Sequence, residues 1–401
     1  MTATSPIADE RHRRLAFWLV AYAFAATMLG TTLPTPLYSI YQVRLGFSEL
    51  MVTVIYSTYA VGVIAALLAF GSWSDQVGRR RVLLGGIALS AASAIVFLVA
   101  GGLPALFIGR VLSGLSAGIF TGAGTVAVIE LAPEQQRKRA TFVATAANMG
   151  GLGCGPLLAG LLAQYAPLPL RLCFIVDLAL LLVAAFGIWF APETVTIPAN
   201  PELRLQRLSI PEQVRDAFVP AVISGFAAFA VFGFFTAVAP AVLSHLLKQS
   251  NHALAGVVVF VLFLASPLGQ FALDWVARER ALMTGCIILI GGVGFVAGSI
   301  AIASLGMLLL GAVVTGFGQG MVFRAGLADI TAVIPEGQRA EVTSAFFVIL
   351  YVAISIPVVG VGVTSRFAGL RVAGIGFAIA VAILIVIALL MLLRRANTAK
   401  A

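Results

Sequence analysis

Charge is what this 401-residue chain has least of. Only 10% of its residues are Asp, Glu, Lys or Arg and 61% are hydrophobic, whereas soluble domains carry roughly 25% charged residues. So few polar side chains cannot coat a water-soluble particle of this length. Cysteine is scarce too. Cys154, Cys173 and Cys286 all lie inside apolar runs, which leaves no CxxC pair and no disulfide framework. The three histidines, His12, His245 and His252, lie outside those runs, and no ligand spacing suits a metal. A nucleophile–base–acid cluster and a GxxxxGK[ST] phosphate loop are both missing. The expectations are therefore no enzyme activity, no catalytic residue, no cofactor, no metal and no ATP-driven step. Short alternating polar and apolar segments are also missing, which excludes a β-barrel. The net charge of +9 forms no single patch; its cations fall in short clusters between apolar runs, so nucleic acid is not an expected partner.

What the chain has is apolar length, with a mean hydropathy of +1.06. A helix crosses a bilayer core in about 20 apolar residues. Twelve runs qualify: 15–38, 51–71, 81–101, 104–129, 140–164, 170–191, 217–244, 253–273, 282–303, 305–333, 340–363 and 370–393. Glycine, at 41 residues, suits helices that must pack closely without a hydrophobic drive between them. The polar N-terminal stretch leads into a full-length run, so the first span is read as retained rather than cleaved. Counted over alternate connections, eighteen Lys and Arg, from Arg11 to Lys400, fall on the side of the termini. The other side holds only Arg44, Arg171, Lys248, Arg366 and Arg371. By the positive-inside rule both termini are cytoplasmic, in a multi-pass protein of the cell (inner) membrane.

The longest connection on the terminal side carries Pro192, Pro198, Pro201 and Pro211. It divides the chain into a tail (1–14), a six-helix bundle (15–191), a cytoplasmic linker (192–216), a second six-helix bundle (217–393) and a tail (394–401). A short surface helix around 201–216 is an expectation. The halves repeat: PEQQRKRA at 133–140 returns as PEGQRAEV at 335–342, and GLSAG at 114–118 as GFGQG at 316–320. Asp75, Gly78 and Arg79 return as Asp274, Ala277 and Arg278. The fold expected is all-α, with twelve transmembrane helices in two pseudo-symmetric bundles. Parallel repeats of this kind imply a central cavity and alternating access by rocking.

The connection between the second and third runs reads Gly71-x-x-x-Asp75-x-x-Gly78-Arg79-Arg80. With Arg110-x-x-x-Gly114-x-x-x-Gly118 and the Glu130, Pro133, Arg137 group, it resembles the signatures of the major facilitator superfamily, over essentially the whole chain. Gln76 stands where a basic residue is usual. In the fifth run, Gly151-x-x-x-Gly155-Pro156-x-x-Ala159-Gly160 resembles the antiporter signature of the twelve-span drug:proton antiporters, with Ala159 for one glycine and Phe142 for another.

That resemblance implies a conformational latch of Gly71, Asp75, Gly78, Arg79, Arg80, Glu130 and Arg137, copied by Asp274 and Arg278. Asp75 would approach the eleventh span near Ala340 when the cytoplasmic side is closed, and Arg79 would relay it to Glu130. Gly151, Gly155, Pro156 and Gly160 would let the fifth span pack on the eighth and bend. Arg110 is the anomaly of the interior, and an intramembrane Arg requires a partner. Asp177, at similar depth in the sixth run, is the expected one, directly or through water, and Arg110, Asp177 and Glu130 are the proton-coupling candidates. Tyr59, Arg110, Asn148, Phe232, Phe235, Gln319, Arg324 and Tyr351 are the cavity candidates, Arg324 for an anionic group of a substrate.

The function expected is export of a small organic molecule, drug-like or a metabolite, by proton antiport with alternating access. A proton-coupled uptake symporter or facilitator is the alternative. The expected partners are the small-molecule substrate, protons and the lipid bilayer, with the protein a monomer.

Overall fold

The computed structural model describes residues 6–70, 73–198, 200, 205–335 and 337–398. Among them are twelve helices long and apolar enough to cross a membrane, and no strand. They are α1 (Arg13–Leu45), α2 (Glu49–Ala69), α3 (Arg79–Leu98), α4 (Leu103–Leu131), α5 (Arg139–Tyr165), α6 (Leu172–Phe190), α7 (Glu212–Ala237), α8 (His252–Trp275), α9 (Arg278–Ile302), α10 (Leu305–Thr331), α11 (Arg339–Ala368) and α12 (Leu370–Asn397). Every sequence-predicted run is represented. Helices are the form in which a lipid-embedded backbone satisfies itself.

Local chemistry sets the ends. Asn251 caps α8 by accepting from the Leu254 N–H at 3.1 Å, and Ser304 caps α10 through Met307 at 3.4 Å. Gly46, at φ +69°, closes α1. The predicted first run ends too early, at 38: the chain turns tightly at Thr35–Leu37 and resumes as a helix to Leu45, because Pro34 and Pro36 interrupt the ladder without preventing a restart. The expected helix around 201–216 is not formed over 205–211, and 201–204 lie outside the described residues. Instead the chain is non-helical until Glu212, and the Gln206 N–H donates to the Leu68 carbonyl at the end of α2 (2.7 Å).

Glycine decides how closely helices pack, and it does so twice over. Gly114 and Gly118 of α4 lie against the Tyr59 and Val63 carbonyls of α2. Gly316 and Gly320 of α10 lie against the Leu262 and Ser266 carbonyls of α8. The sequence repeat is therefore also a packing repeat, with no room for a side chain at any of the four positions. Two seams join spans 1–6 to spans 7–12. In one, α5 runs along α8, with Gly256 against the Pro156 carbonyl and Gly160 against that of His252. In the other, α2 meets α11, with Gly362 on Thr53 and Ser57 Oγ donating to the Ser355 carbonyl at 3.2 Å.

The buried apolar core is not uniform. At the end opposite the termini it is continuous across both halves, from Leu33, Tyr56 and Phe174 to Phe235, Val258 and Val358. Toward the termini, Phe24, Val63, Phe120, Val128 and Ile188 form a separate cluster whose fully buried members all belong to spans 1–6. The fully buried core thus joins the halves at one end, whereas toward the termini they meet through less buried contacts, such as Phe142 on Phe271 at 6.2 Å and Phe347 against the first-half cluster.

Candidate functional site

Arg110 sits seven residues inside α4 and is 2% exposed. Its guanidinium donates to the Thr31 carbonyl of α1 (2.7 Å) and the Tyr56 carbonyl of α2 (3.3 Å). The Tyr59 and Tyr56 rings lie over it, 4.6 and 5.4 Å from the guanidinium carbon. Such stacking is favourable for a desolvated cation. Tyr56 is hydrogen-bonded in turn to Thr236 of α7 (2.6 Å), and Tyr59 faces Tyr351 of α11 at 6.4 Å. One cation thereby ties α1, α2 and α4 together and reaches both α7 and α11 through its tyrosines.

Asp177, 1% exposed, is not in direct contact with that cation. Its carboxylate lies against Gly30 of α1, and Oδ1 has no hydrogen-bond partner. Of the expected Arg110–Asp177 pairing, direct or through water, the direct form is not made. The two groups hold consecutive residues of α1, Thr31 through its carbonyl and Gly30 through its missing side chain, and the backbone carbonyls satisfy the guanidinium first. Arg110 Nε also has no partner. Asp177 has two ways to avoid an unpaired buried charge: it carries a proton, or it meets a cation.

Helix α5 uses its glycines on two faces. Gly151 and Gly155 press on α1, against the carbonyls of Ala25 and Leu29, and Thr32 Oγ1 donates to the Leu152 carbonyl at 2.8 Å. Pro156 and Gly160 face α8. The expectation that all four serve the α8 contact is corrected to this division, which follows from their spacing: 151 and 155 share one helical face.

At the terminal end, Arg79 is the centre of a network. It contacts Asp75 at 2.6 Å and Ser74 at 2.5 Å, and it grips Glu130 through Nε and Nη2 at 3.1 and 2.9 Å. Thr194 donates to Glu130 at 2.6 Å. Glu193, which the motifs did not single out as a site residue, accepts from the Arg79 and Arg80 backbone N–H groups (2.8 and 3.2 Å) at the start of α3. It fills the space beside Gly78, whose φ is +104°. The Pro192-Glu193-Thr194 sequence was its only signal. Arg80 leans on Trp189 of α6, and Arg137 pairs only with exposed Glu134 at 3.4 Å, outside this network. Gly71 lies outside the described residues.

The second half does not copy this arrangement. Asp274 pairs with Arg324 of α10 at 2.8 Å, and Arg324 also donates to the Gln270 carbonyl. Arg278 reaches the Ala328 carbonyl at 3.5 Å. Both Asp274 and Arg324 are about half exposed, so Arg324 is bound to an exposed carboxylate rather than standing free for a substrate.

Of the remaining cavity candidates, Phe232, Phe235 and Gln319 are packing residues. Phe232 meets Phe263 edge-on at 4.9 Å, Phe235 is fully buried, and Gln319 accepts from Ser266 at 2.6 Å. Asn148 and Tyr351 are half-buried, and Asn148 Oδ1 has no partner. A chamber of about 600 Å³ opens at the non-terminal end, where the ends of α1, α2, α7, α8, α11 and α12 converge. No local pattern in the chain marks it, because its walls come from six segments.

The chain as a whole is similar to known proteins. A Salmonella paratyphi A protein provisionally named multidrug resistance protein MdtD is 26% identical over 273 residues, 65% of this chain and 56% of that one. Its Escherichia coli K12 DH10B counterpart is 33% identical over 155 residues, 38% and 32% of the two chains. The chain thus spans a third to just over half of the length of these curated relatives. A crystal structure of a bacterial homologue of the human lysosomal transporter Spinster, inward-facing and unoccupied, matches with a TM-score of 0.73 at 14% identity, over 98% of this chain and 99% of that one. The Major Facilitator Superfamily model matches residues 16–356, so this twelve-helix transporter belongs to that superfamily.

Proposed function

We propose that the chain is a secondary active exporter of a small, drug-like organic molecule, exchanged for protons across the cell membrane, with both termini cytoplasmic. The observation that carries this reading is the pairing of two unlike charges on one turn of α1. Arg110 holds Thr31 and Asp177 rests on Gly30, with no bond between them. A proton on Asp177 leaves Arg110 on the Thr31 and Tyr56 carbonyls. Loss of that proton creates a buried anion one residue away, which draws the guanidinium toward it and releases α1. Proton occupancy thereby sets the position of α1 against α4 and α6.

The Lys/Arg asymmetry places the end with the less buried contacts between the halves on the cytoplasmic side, which suits a state open to the cytoplasm. In that state Asp75 is held, among the described residues, by Arg79. Closing the cytoplasmic side would bring α11 toward it, and the α5–α8 and α2–α11 seams would be the surfaces on which the halves rock. The names of the relatives favour export of toxic compounds, and the α5 pattern favours antiport.

The test is transport by the purified protein in vesicles, with probe compounds drawn from a growth-inhibition screen and an imposed pH gradient. Uphill movement of the probe against proton flow, abolished by an uncoupler, is the expected result. Movement in the same direction as protons would establish the uptake alternative and end the export reading.

A further inference from the structure

The chamber at the non-terminal end is a built site. Among the described residues, Glu49, at the start of α2, is the one Asp, Glu, Lys or Arg in its wall. Its Oε1 meets His245 Nδ1 at 2.6 Å, and its Oε2 accepts from Ser365 Oγ at 3.2 Å. Glu49 belongs to the first half, whereas His245 and Ser365 belong to the second. The rest of the wall mixes apolar surface from Val52, Val238 and Val361 with polar residues such as Ser39, Gln42 and Ser244. Its volume of about 600 Å³ is in the range of small-molecule sites.

The geometry points to a binding site for organic ammonium cations in this chamber, with Glu49 as the anionic anchor and His245 as a tethered competitor for it. An anionic ligand would face the lone carboxylate, and no trio of His, Cys, Asp or Glu converges for a metal among the described residues. A histidine changes charge between pH 5 and 8. When protonated, His245 satisfies Glu49. When neutral, it leaves a partly buried carboxylate without a counter-charge, in a chamber wide enough to bring one. The other titratable groups of the wall are His252, whose Nδ1 lies 3.5 Å from Ser39 Oγ, and Tyr38. Arg44, Lys248 and Arg366 are exposed on the same end but outside the wall.

The experiment is calorimetric titration of the full-length protein in nanodiscs with benzyltrimethylammonium at pH 6 and pH 8. Wild type should bind at least about twofold tighter at pH 8 than at pH 6, because histidine side chains lose their charge across this range. H245Q should bind at pH 6 as wild type does at pH 8, a gain that misfolding cannot produce. E49Q should bind at least tenfold more weakly at pH 8. Wild-type affinity in E49Q, or a pH dependence that survives in H245Q, would overturn the proposal. Binding is scored without a gradient, so the result stands apart from whether transport is proton-coupled export.

Discussion

Gly30 and Asp177 share one space. A Cβ on Gly30 would lie 2.8 Å from Oδ2 and 2.9 Å from Oδ1 of the carboxylate, so the absence of a side chain on α1 is what allows an acid of α6 to sit in the interior. The next residue, Thr31, gives its carbonyl to Arg110.

Gly30→Ala therefore forces the carboxyl group off α1 without adding or removing charge. Overpacking of this size costs about 1–3 kcal/mol, which a folded helical protein survives. Uphill, pH-driven efflux in vesicles should fall at least tenfold while expression and helicity persist. Asp177→Asn should lose uphill transport entirely and keep downhill movement of the probe. Wild-type uphill transport in both variants would remove Asp177 from the coupling path.

The two faces of α5 predict two different defects. Gly155→Leu would drive a side chain into the Leu29 carbonyl and Thr32 of α1, within one half of the molecule. Its cost should appear as a lower unfolding temperature. Gly256→Leu would strike the Pro156 carbonyl across the α5–α8 seam, and its main effect should be on transport, by holding the halves apart at the end where the buried core joins them. Thermal unfolding beside vesicle transport separates the two, and matching profiles for both variants would contradict the division of faces.

Glu193 makes the Arg79 network more than a charge relay. Its carboxylate caps two backbone N–H groups at the start of α3, where a side-chain cap contributes about 0.5–2 kcal/mol and negative charge also suits the helix dipole. Glu193→Ala should lower the unfolding temperature and loosen the loop, whereas Glu193→Gln keeps an acceptor and loses less. Arg79→Lys keeps a cation but cannot grip Glu130 at two points, so its transport should fall severalfold with little change in unfolding temperature. Equal stability in wild type and Glu193→Ala would deny the cap.

How much of this was legible depended on whether contacts were local. The twelve helices follow from apolar length, and the Asp75–Arg79–Glu130 grouping lies on motif residues close to a helix end. The Gly114 and Gly316 repeats could be read as glycine spacing, though not as carbonyl contacts, which need the partner helix. Of the two forms expected for the Arg110–Asp177 pair, direct and through water, the direct one is not made, because depth along a helix says nothing about its rotation: both groups reach α1, one residue apart. The Glu49–His245 pair joins residues far apart in sequence and carried no local signal. Phe232, Phe235 and Gln319, expected in the cavity wall, turn into the second half's own packing.

The second half's ion pair offers the sharpest check on substrate recognition. Arg324 holds Asp274 at 2.8 Å, and both groups are about half exposed, a setting in which an ion pair contributes about 0–1 kcal/mol. If Arg324 serves only to tie α10 to α8, then Arg324→Gln should leave the transport KM within about twofold of wild type. Adding Asp274→Asn should restore any small loss, because the double variant leaves no unpaired charge. If Arg324 instead meets an anionic group of the substrate, Arg324→Gln raises KM for anionic probes alone and Asp274→Asn cannot rescue it. The structure favours the first outcome, since the guanidinium is already committed to Asp274 and to the Gln270 carbonyl. A KM increase confined to anionic probes and indifferent to Asp274 would refute it.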